Sequence, residues 1–240
     1  MRRHLLSLAA VLVAGFVAAP SASAQQSVSF FVGGFVPTPL DARGTISGGT
    51  TNDVLVNDLN FFSFRFDRFT GPTFGGEYLV GFGDFFEAGA GIGYYQKTVP
   101  AFDRQGRVNS LTGLPIEAAF KLRIVPFSAT FRVLPLGHRA PVVPYVGAGV
   151  GVLGWRYSEA GDFVDYIDNK SVFPGTFVGS GVVAGPVVLG GFRVPIGPLA
   201  PGFEARWQKG QATLPSTNFL PGRVIDLGGM SYLFTFAIKF

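Results

Sequence analysis

The side chains that could do chemistry in this chain are few and poorly arranged for catalysis. The sequence has no cysteine and only two histidines, His4 and His138. A zinc site needs several histidine or thiolate ligands. A serine hydrolase needs a histidine base beside its nucleophile, commonly in a G-x-S-x-G turn that this sequence lacks. We therefore predict no catalytic residues, no metal site and no enzymatic activity.

Two further patterns resemble ligand-binding motifs but lack the structural context or spacing that such motifs need. Residues 149–154 match the G-x-G-x-x-G pattern of dinucleotide sites, but that pattern needs a helix directly after a strand, and none is predicted here. The spacing of Asp162, Asp165 and Asp168 differs from that of a calcium-binding loop, so we expect solvated loop charge. We predict no cofactor.

The carboxyl-terminal stretch indicates which kind of element carries the remaining charged residues. Side chains of a strand alternate between its two faces. A strand with lipid on one side and a polar bore on the other has one apolar face and one polar or small face. The apolar face of this last strand is strongly aromatic and comprises Tyr232, Phe234, Phe236, Ile238 and Phe240.

Similar alternation recurs in seven earlier runs, at residues 27–36, 72–82, 86–95, 116–133, 144–157, 177–193 and 202–213. The connections after the second, fourth and sixth runs are short, and those after the first, third, fifth and seventh are longer. The pattern predicts an all-β fold, a single eight-stranded antiparallel transmembrane up-and-down β-barrel. Its short turns would be periplasmic and its longer loops extracellular.

The fourth run changes phase in its middle. Its apolar residues stand at even positions before Pro126 and at odd positions after it. A slip of one residue exchanges the two faces of a strand. We therefore predict a β-bulge near Val125 and Pro126, where proline also removes a ladder donor.

With the apolar faces turned to lipid, ten charged residues are predicted to point into the bore. They are Glu77, Glu87, Glu117, Lys121, Arg123, Arg132, Arg193, Glu204, Arg206 and Lys239. Unpaired charge in a narrow interior is costly, so these groups should pair with one another. Either the cluster has a structural role and closes the bore, or it lines a gated conduit in which the pairs exchange.

Glycines on the bore face are predicted to bend the wall or to make room for large side chains such as Tyr95, Tyr145 and Trp155. We expect Gly149→Ser, on the bore face, to cost far less stability than Val150→Arg on the outer face. The longest loop, residues 37–71, carries five phenylalanines between residues 60 and 69. We expect it either to continue the second strand above the membrane or to form a hydrophobic-ligand mouth, with Arg43 as an exposed loop charge.

The amino terminus indicates export. Arg2 and Arg3 precede an apolar run over residues 5–17, and residues 22–24, Ala-Ser-Ala, form a small-x-small cleavage site. We predict a cleaved secretory signal peptide over residues 1–24 and an outer-membrane β-barrel domain over residues 25–240. No cluster of Lys and Arg indicates a nucleic-acid partner.

These features together resemble the small eight-stranded outer-membrane barrels of the OmpA, OmpX and OmpW type, over residues 25–240. The resemblance rests on the signal peptide, the eight strands, residues 143–151 and the terminal Phe240. It implies a Gram-negative outer membrane with its lipid and lipopolysaccharide. It also implies handling by periplasmic chaperones and the barrel assembly machinery, which would recognise the last strand. We expect a monomer.

Two hypotheses for function remain open. The first is a non-enzymatic barrel with a structural, envelope or surface-interaction role. The second is a narrow, porin-like passive channel for small or hydrophobic solutes. An eight-stranded barrel is just wide enough for its side chains to fill, which favours the first. The many glycines on the bore face favour the second.

Overall fold

A computed structural model describes residues 25–43, 53–109, 112–165, 171–214 and 224–240. The predicted signal peptide and Asp168 lie outside the described residues. Eight strands dominate the fold: β1 Gln26–Pro37, β2 Gly71–Phe82, β3 Phe86–Asp103, β4 Glu117–Val133, β5 Val143–Val164, β6 Val172–Arg193, β7 Leu199–Gln208 and β8 Gly229–Lys239. Within these ranges no helix is long and apolar enough to cross a membrane.

The eight strands form one closed antiparallel ring. Each pairs with its neighbour in the sequence, and β8 also pairs with β1, where Phe236 lies opposite Phe30. Where all eight strands run side by side, closure leaves no unpaired strand edge, as hydrocarbon surroundings require. Short connections join β2 to β3, β4 to β5 and β6 to β7 at one end, here called the turn end. The other end is the loop end. The predicted eight-stranded up-and-down barrel is confirmed.

The ring is taller on one side than on the other. Strands β1, β2, β7 and β8 have 10 to 12 residues, whereas β3, β4, β5 and β6 have 17 to 22. Segments predicted as loops are therefore partly strand. In particular, β5 and β6 stay paired as far as Val164 and Val172. The four long strands form a wall that continues past the short ones at the loop end.

A belt of exposed apolar side chains surrounds the turn-end part of the barrel. It includes Phe74, Phe131, Val150 and Phe234, the last 69% exposed. Large exposed apolar surfaces are rare on proteins surrounded by water, and a continuous belt is the surface that lipid covers. This belt, here called the lipid band, ends on β4 and β5 at the row of Val125 and Gly154, because the next outward residues are charged.

The predicted β-bulge near Pro126 is wrong. Strand β4 keeps a single register with β5 along its whole length, from Phe131 opposite Ala148 to Lys121 opposite Ser158. The faces are not exchanged; their surroundings change. Beyond the lipid band, the inward side of β4 packs into an apolar core, and its outward side meets water.

This inversion corrects part of the predicted charge cluster. Glu117, Lys121 and Arg123 stand at odd positions of β4, on the outward face above the lipid band, and all three are exposed. Their predicted place in the bore is therefore wrong. The buried residues between them are Ala118, Phe120 and Leu122.

The segment after β1 folds into the loop end of the bore. It contains a 3-10 turn at Leu40–Ala42, the short helix α1 at Val54–Asp58 and a 3-10 turn at Phe66–Phe69. Asp53 caps α1, because its Oδ1 accepts hydrogen bonds from Leu55 N at 3.1 Å and Val56 N at 3.4 Å. We call residues 53–69 the plug.

The plug phenylalanines turn inward. Phe62 and Phe69 are buried, and the other three, Phe61, Phe64 and Phe66, pack partly buried against the same core. Phe62–Ser63 pairs with β3 rather than extending β2, which begins at Gly71. The expectation that this stretch continues the second strand is therefore wrong. The expected hydrophobic mouth is filled by the chain's own side chains.

Gly149 on β5 marks a close approach of two strands. A Cβ built there would lie 2.0 Å from the carbonyl oxygen of Ala129 and 2.8 Å from the Cα of Thr130. Both contacts are with backbone, so serine could be accommodated only by moving the wall. The structure therefore gives Gly149→Ser a cost that the sequence pattern did not indicate.

Candidate functional site

The turn-end half of the bore holds a cluster of buried charges. Their side chains point inward because the alternate positions of the same strands face lipid. The members come from strands β2, β3, β4, β6 and β7, and we call them the ion-pair layer. They are Glu77, Glu87, Arg132, Arg193, Glu204 and Arg206.

Four of these residues form one connected network. Arg132 Nη2 donates hydrogen bonds to Glu77 Oε2 and, at 3.1 Å, to Glu204 Oε2. Arg206 Nη2 lies 2.7 Å from Glu204 Oε1 and 3.5 Å from Glu77 Oε2. The two buried cations and two buried anions thus compensate one another. Buried charges need such compensation, because water does not solvate them.

The other two residues form a second pair beside the first network. Arg193 Nη2 lies 2.6 Å from Glu87 Oε2, and His138 Nδ1 lies 3.7 Å from Glu87 Oε1. The ring of Tyr145 lies between the two groups, with the guanidinium carbons of Arg132 and Arg193 4.9 and 5.0 Å from its centroid. Cation–π contacts therefore connect the two networks.

The space for Tyr145 depends on a glycine opposite. Its hydroxyl donates to Glu204 Oε2 at 3.1 Å, and a Cβ on Gly191 would lie only 2.8 Å from that hydroxyl oxygen. This is the predicted use of bore-facing glycine. Tyr145 and His138 were not predicted to belong to the charge network. The odd position of Tyr145 on β5 was the available signal, whereas His138 follows β4 in a turn and had none.

Lys239, the remaining residue of the predicted cluster, lies outside the ion-pair layer. It lies at the turn end of β8, opposite Ser27 of β1, and is partly exposed. The structure therefore brings together six of the ten predicted residues. It leaves Lys239 at the rim and puts three residues on the outer wall.

The loop-end half of the bore is filled by apolar and aromatic side chains. Val54, Leu55 and Phe69 of the plug are completely buried against Phe120 and Leu122 of β4 and neighbouring residues of β3 and β5. Rings meet edge to face, as between Phe64 and Phe120 at 5.2 Å. The result resembles the core of a water-soluble protein more than the interior of a pore.

Polar contacts hold the plug to neighbouring segments and to the wall. Arg43, predicted to be an exposed loop charge, is buried and lies 3.2 Å from Asp53 Oδ1 through its Nη1. Asp53 Oδ2 accepts a hydrogen bond from the backbone N–H of Asp226 at 3.0 Å, and Arg43 Nη2 donates to the carbonyl oxygen of Asp226. The hydroxyl of Tyr95 on β3 donates to the carbonyl of Phe69.

A pair of carboxyl groups, Asp58 of the plug and Glu159 of β5, is buried beyond the lipid band. Tyr157 donates a hydrogen bond to Asp58 Oδ2 at 3.1 Å, and the carboxyl of Glu159 is hydrogen-bonded to Asp58. Burial raises the pKa of Glu159 to about 7. Burial and the nearby Glu159 charge raise the pKa of Asp58 well above its usual range. Both shifts favour the protonated forms of the pair.

The described residues combine into a bore filled in two layers. Three arginines and three glutamates balance one another in the turn-end layer, and apolar side chains fill the loop-end layer. In the described parts of the chain, no group of three His, Asp or Glu side chains is arranged to hold a metal ion. The chemistry of the site is charge neutralisation and packing.

No protein-family model and no curated protein matches the sequence. The outer membrane protein OprG from Pseudomonas aeruginosa has a similar fold, with a TM-score of 0.52 and 11% identity, over 90% of this chain and 96% of that chain. Neisserial surface protein A gives 0.41 and 12%, over 90% and 97%. Ail of Yersinia pestis gives 0.36 and 13%, over 90% and 99%. This chain has the fold of the small eight-stranded outer-membrane β-barrels.

Proposed function

We propose that this protein is a non-enzymatic barrel of the outer membrane, closed to solutes, that presents its long strands outside the cell. The observation that carries the proposal is the filled bore. An ion moving along the barrel would have to separate the buried pairs of Arg132 and then displace the plug. The first step would leave buried charges unpaired. The second would expose apolar side chains that are now buried.

The long strands support a role at the cell surface. From Gly154 to Val164, β5 continues ten residues past the lipid band, which corresponds to a rise of about 25 Å for a tilted strand. Strands β3, β4 and β6 accompany it as one hydrogen-bonded wall. A paired wall holds its surface residues at fixed spacing, which suits specific contacts better than separate loops do.

The carboxyl-terminal strand supports assembly in the outer membrane. Tyr232, Phe234, Phe236, Ile238 and Phe240 all stand exposed on the outer face. We propose that this face is the signal that the barrel assembly machinery reads, after export by the cleaved signal peptide and escort by periplasmic chaperones. Once the protein is inserted, lipid would cover the same side chains.

Solute flux distinguishes the closed barrel from the narrow channel. Purified protein would be refolded into liposomes, and swelling in small sugars and leakage of an apolar dye would be compared with those of protein-free liposomes. The closed barrel predicts no added flux. Size-dependent sugar uptake through wild-type protein would contradict closure and favour the channel. Gel mobility with and without heating would confirm that the protein in each sample is folded.

A matched pair of variants tests which layer closes the bore. Glu77→Ala with Arg206→Ala removes an anion and a cation from the ion-pair layer and leaves the plug intact. Phe69→Ala with Leu55→Ala thins the plug and leaves the ion pairs intact. If the two layers close the bore independently, neither double variant conducts. Conduction by one of them would assign closure to the layer that it lacks.

A further inference from the structure

Three cations stand together on the outer wall directly beyond the lipid band. Lys121 and Arg123 of β4 and Arg156 of β5 face outward and are exposed. With Gln96 and Ser158 they line a cleft of about 290 Å³. We call these five residues the basic row. Two of these cations, Lys121 and Arg123, were predicted inside the bore, so the sequence pattern gives no indication of the row.

The row places two like charges side by side. Arg123 lies directly opposite Arg156 across the β4–β5 ladder, and Gln96 lies opposite Arg123 on the other side. Like charges in directly opposed cross-strand positions destabilise a sheet. Such an arrangement is stable when an anion lies between the two guanidinium groups.

The described protein does not supply that anion. None of its described ion pairs includes a residue of the basic row. The first carboxylate along the outward face of β4 is Glu117, four positions from Lys121, or about 13 Å away. On β5 it is Asp162, six positions from Arg156, and its Oδ2 accepts a hydrogen bond from Asn109 at 3.2 Å.

The height of the row identifies the source of the anion. The outward residues directly below it are apolar and exposed, among them Phe127, Val152 and Val182, the last 71% exposed. A lipid whose acyl chains lay on this surface would place its headgroup at the level of the row, because headgroups begin where the hydrocarbon ends. Arginine forks match phosphate oxygens in charge and geometry.

The opposite boundary of the lipid band differs. At the turn end, the exposed Arg139 has a carboxylate nearby, with its Nε 3.8 Å from Asp84 Oδ1. The cation there is already compensated by the protein. Among the described residues, the basic row is a cluster of cations without such compensation, and it lies at the loop end, which is the side of the outer leaflet in the proposed orientation.

We propose that the basic row binds the phosphate groups of an acylated, phosphorylated lipid in the outer leaflet. Arg123 and Arg156 share one phosphate, and Lys121 adds a third positive charge from the next row. The acyl chains lie against Phe127, Val152 and Val182. This inference rests on the proposed outer-membrane position but not on a closed bore.

The test measures lipid retained by the folded barrel. Protein in uncharged detergent would be mixed with bisphosphorylated lipid A, and bound lipid would be counted by native mass spectrometry over a titration. Arg123→Gln with Arg156→Gln should lower the affinity by about tenfold or more, because hydrogen bonds to charged groups are lost. Arg139→Gln, the matched change at the opposite boundary, should leave it unchanged. Heat-dependent gel mobility would show that each variant is folded.

Two further arms identify what is bound. Lipid A without its phosphates should bind wild-type protein as weakly as intact lipid A binds the double variant. Inorganic phosphate should fail to displace the lipid at equal concentration. Equal retention by wild type and the double variant would overturn the proposal. So would displacement by inorganic phosphate, because the site would then be one for a free anion. Solute flux through a folded, lipid-binding barrel would contradict closure alone.

Discussion

The two halves of the barrel use the same strands with opposite alternation. In the turn-end half, β4 directs Arg132 inward and Phe131 outward; in the loop-end half, it directs Phe120 inward and Lys121 outward. The register does not change between them. The surroundings of the wall therefore decide which of its faces is apolar. In lipid the outer face must be apolar and the bore can be polar. In water the outer face can be polar, and an apolar core stabilises the fold.

The halves should therefore fail in different ways. The turn-end half depends on charge compensation, in which loss of one partner leaves another buried charge unpaired. The loop-end half depends on apolar burial and on two buried carboxyl groups whose pKa values are raised. Substitutions that separate these mechanisms test the comparison.

The largest effect is expected in the ion-pair layer. Arg132→Ala leaves the two buried carboxylates Glu77 and Glu204 with Arg206 as their one remaining described cation, and we expect a loss of about 3–5 kcal/mol in the free energy of unfolding. Unfolding titrations in urea with protein in lipid vesicles would measure it. Arg139→Ala, at an exposed position, should change that free energy little. Equal effects of the two substitutions would mean that water screens the bore.

The second prediction compares two outward positions of β5. Val150→Arg puts a charge in the middle of the lipid band and should cost about 2–4 kcal/mol. Ala160→Arg introduces the same side chain on the same face beyond the band, where it meets water, and should cost almost nothing. The same titrations measure both variants. A similar cost at both positions would mean that lipid covers the long wall as well.

The third prediction concerns pH and the loop-end half alone. The pKa of Glu159 is raised from 4.5 to about 7 in the folded protein, so folding favours its protonated form. This contribution to stability is complete below about pH 4.5 and is lost as the pH rises through about 7. Hydrogen exchange of the α1 amides, corrected for intrinsic rates, should show stronger protection at pH 5 than at pH 8.

Glu159→Gln provides the control for that prediction. The amide cannot ionise, so the difference in protection between pH 5 and pH 8 should become much smaller. Amides of the turn-end strands that open without disturbing the plug should show little pH dependence in either protein. A pH dependence that survives in the glutamine variant would assign the effect to another group.

The smallest effect on stability is expected at the carboxyl terminus. Removing Phe240 deletes one outer-face side chain and should barely change unfolding of protein refolded in detergent. In cells the same deletion should sharply lower the amount of inserted protein, because the proposed assembly signal is shortened. Fractionation of membranes measures it. A normal outer-membrane level would reduce Phe240 to one more lipid-facing residue.

Much of the fold could be predicted from the sequence because the lipid band enforces a simple rule. Phe131, Val150 and Phe234 alternate with polar or small residues, and that pattern is local. The same rule put Arg132 correctly in the bore. It failed at Lys121 and Arg123, where the wall leaves the lipid and the rule reverses.

The plug could not be predicted for a different reason. Its position depends on contacts between segments far apart in the chain, such as Asp53 with Asp226. A phenylalanine-rich loop has the same local pattern whether its rings turn inward or outward. The buried position of Arg43 likewise follows from the folded plug, and nothing in the neighbouring residues signals it.

A cysteine scan of β4 would show directly whether its apolar face changes from the outside to the inside at the edge of the lipid band. The chain has no cysteine, so each introduced cysteine at positions 118–131 is unique and can carry a nitroxide label. Collision rates with oxygen, which concentrates in lipid, and with a water-soluble nickel chelate report the surroundings of each label. We expect positions 127, 129 and 131 to favour oxygen, positions 119, 121 and 123 to favour the chelate, and even positions to be shielded from both. Oxygen accessibility at even positions 118–124 would restore the bulge and contradict the inverted halves.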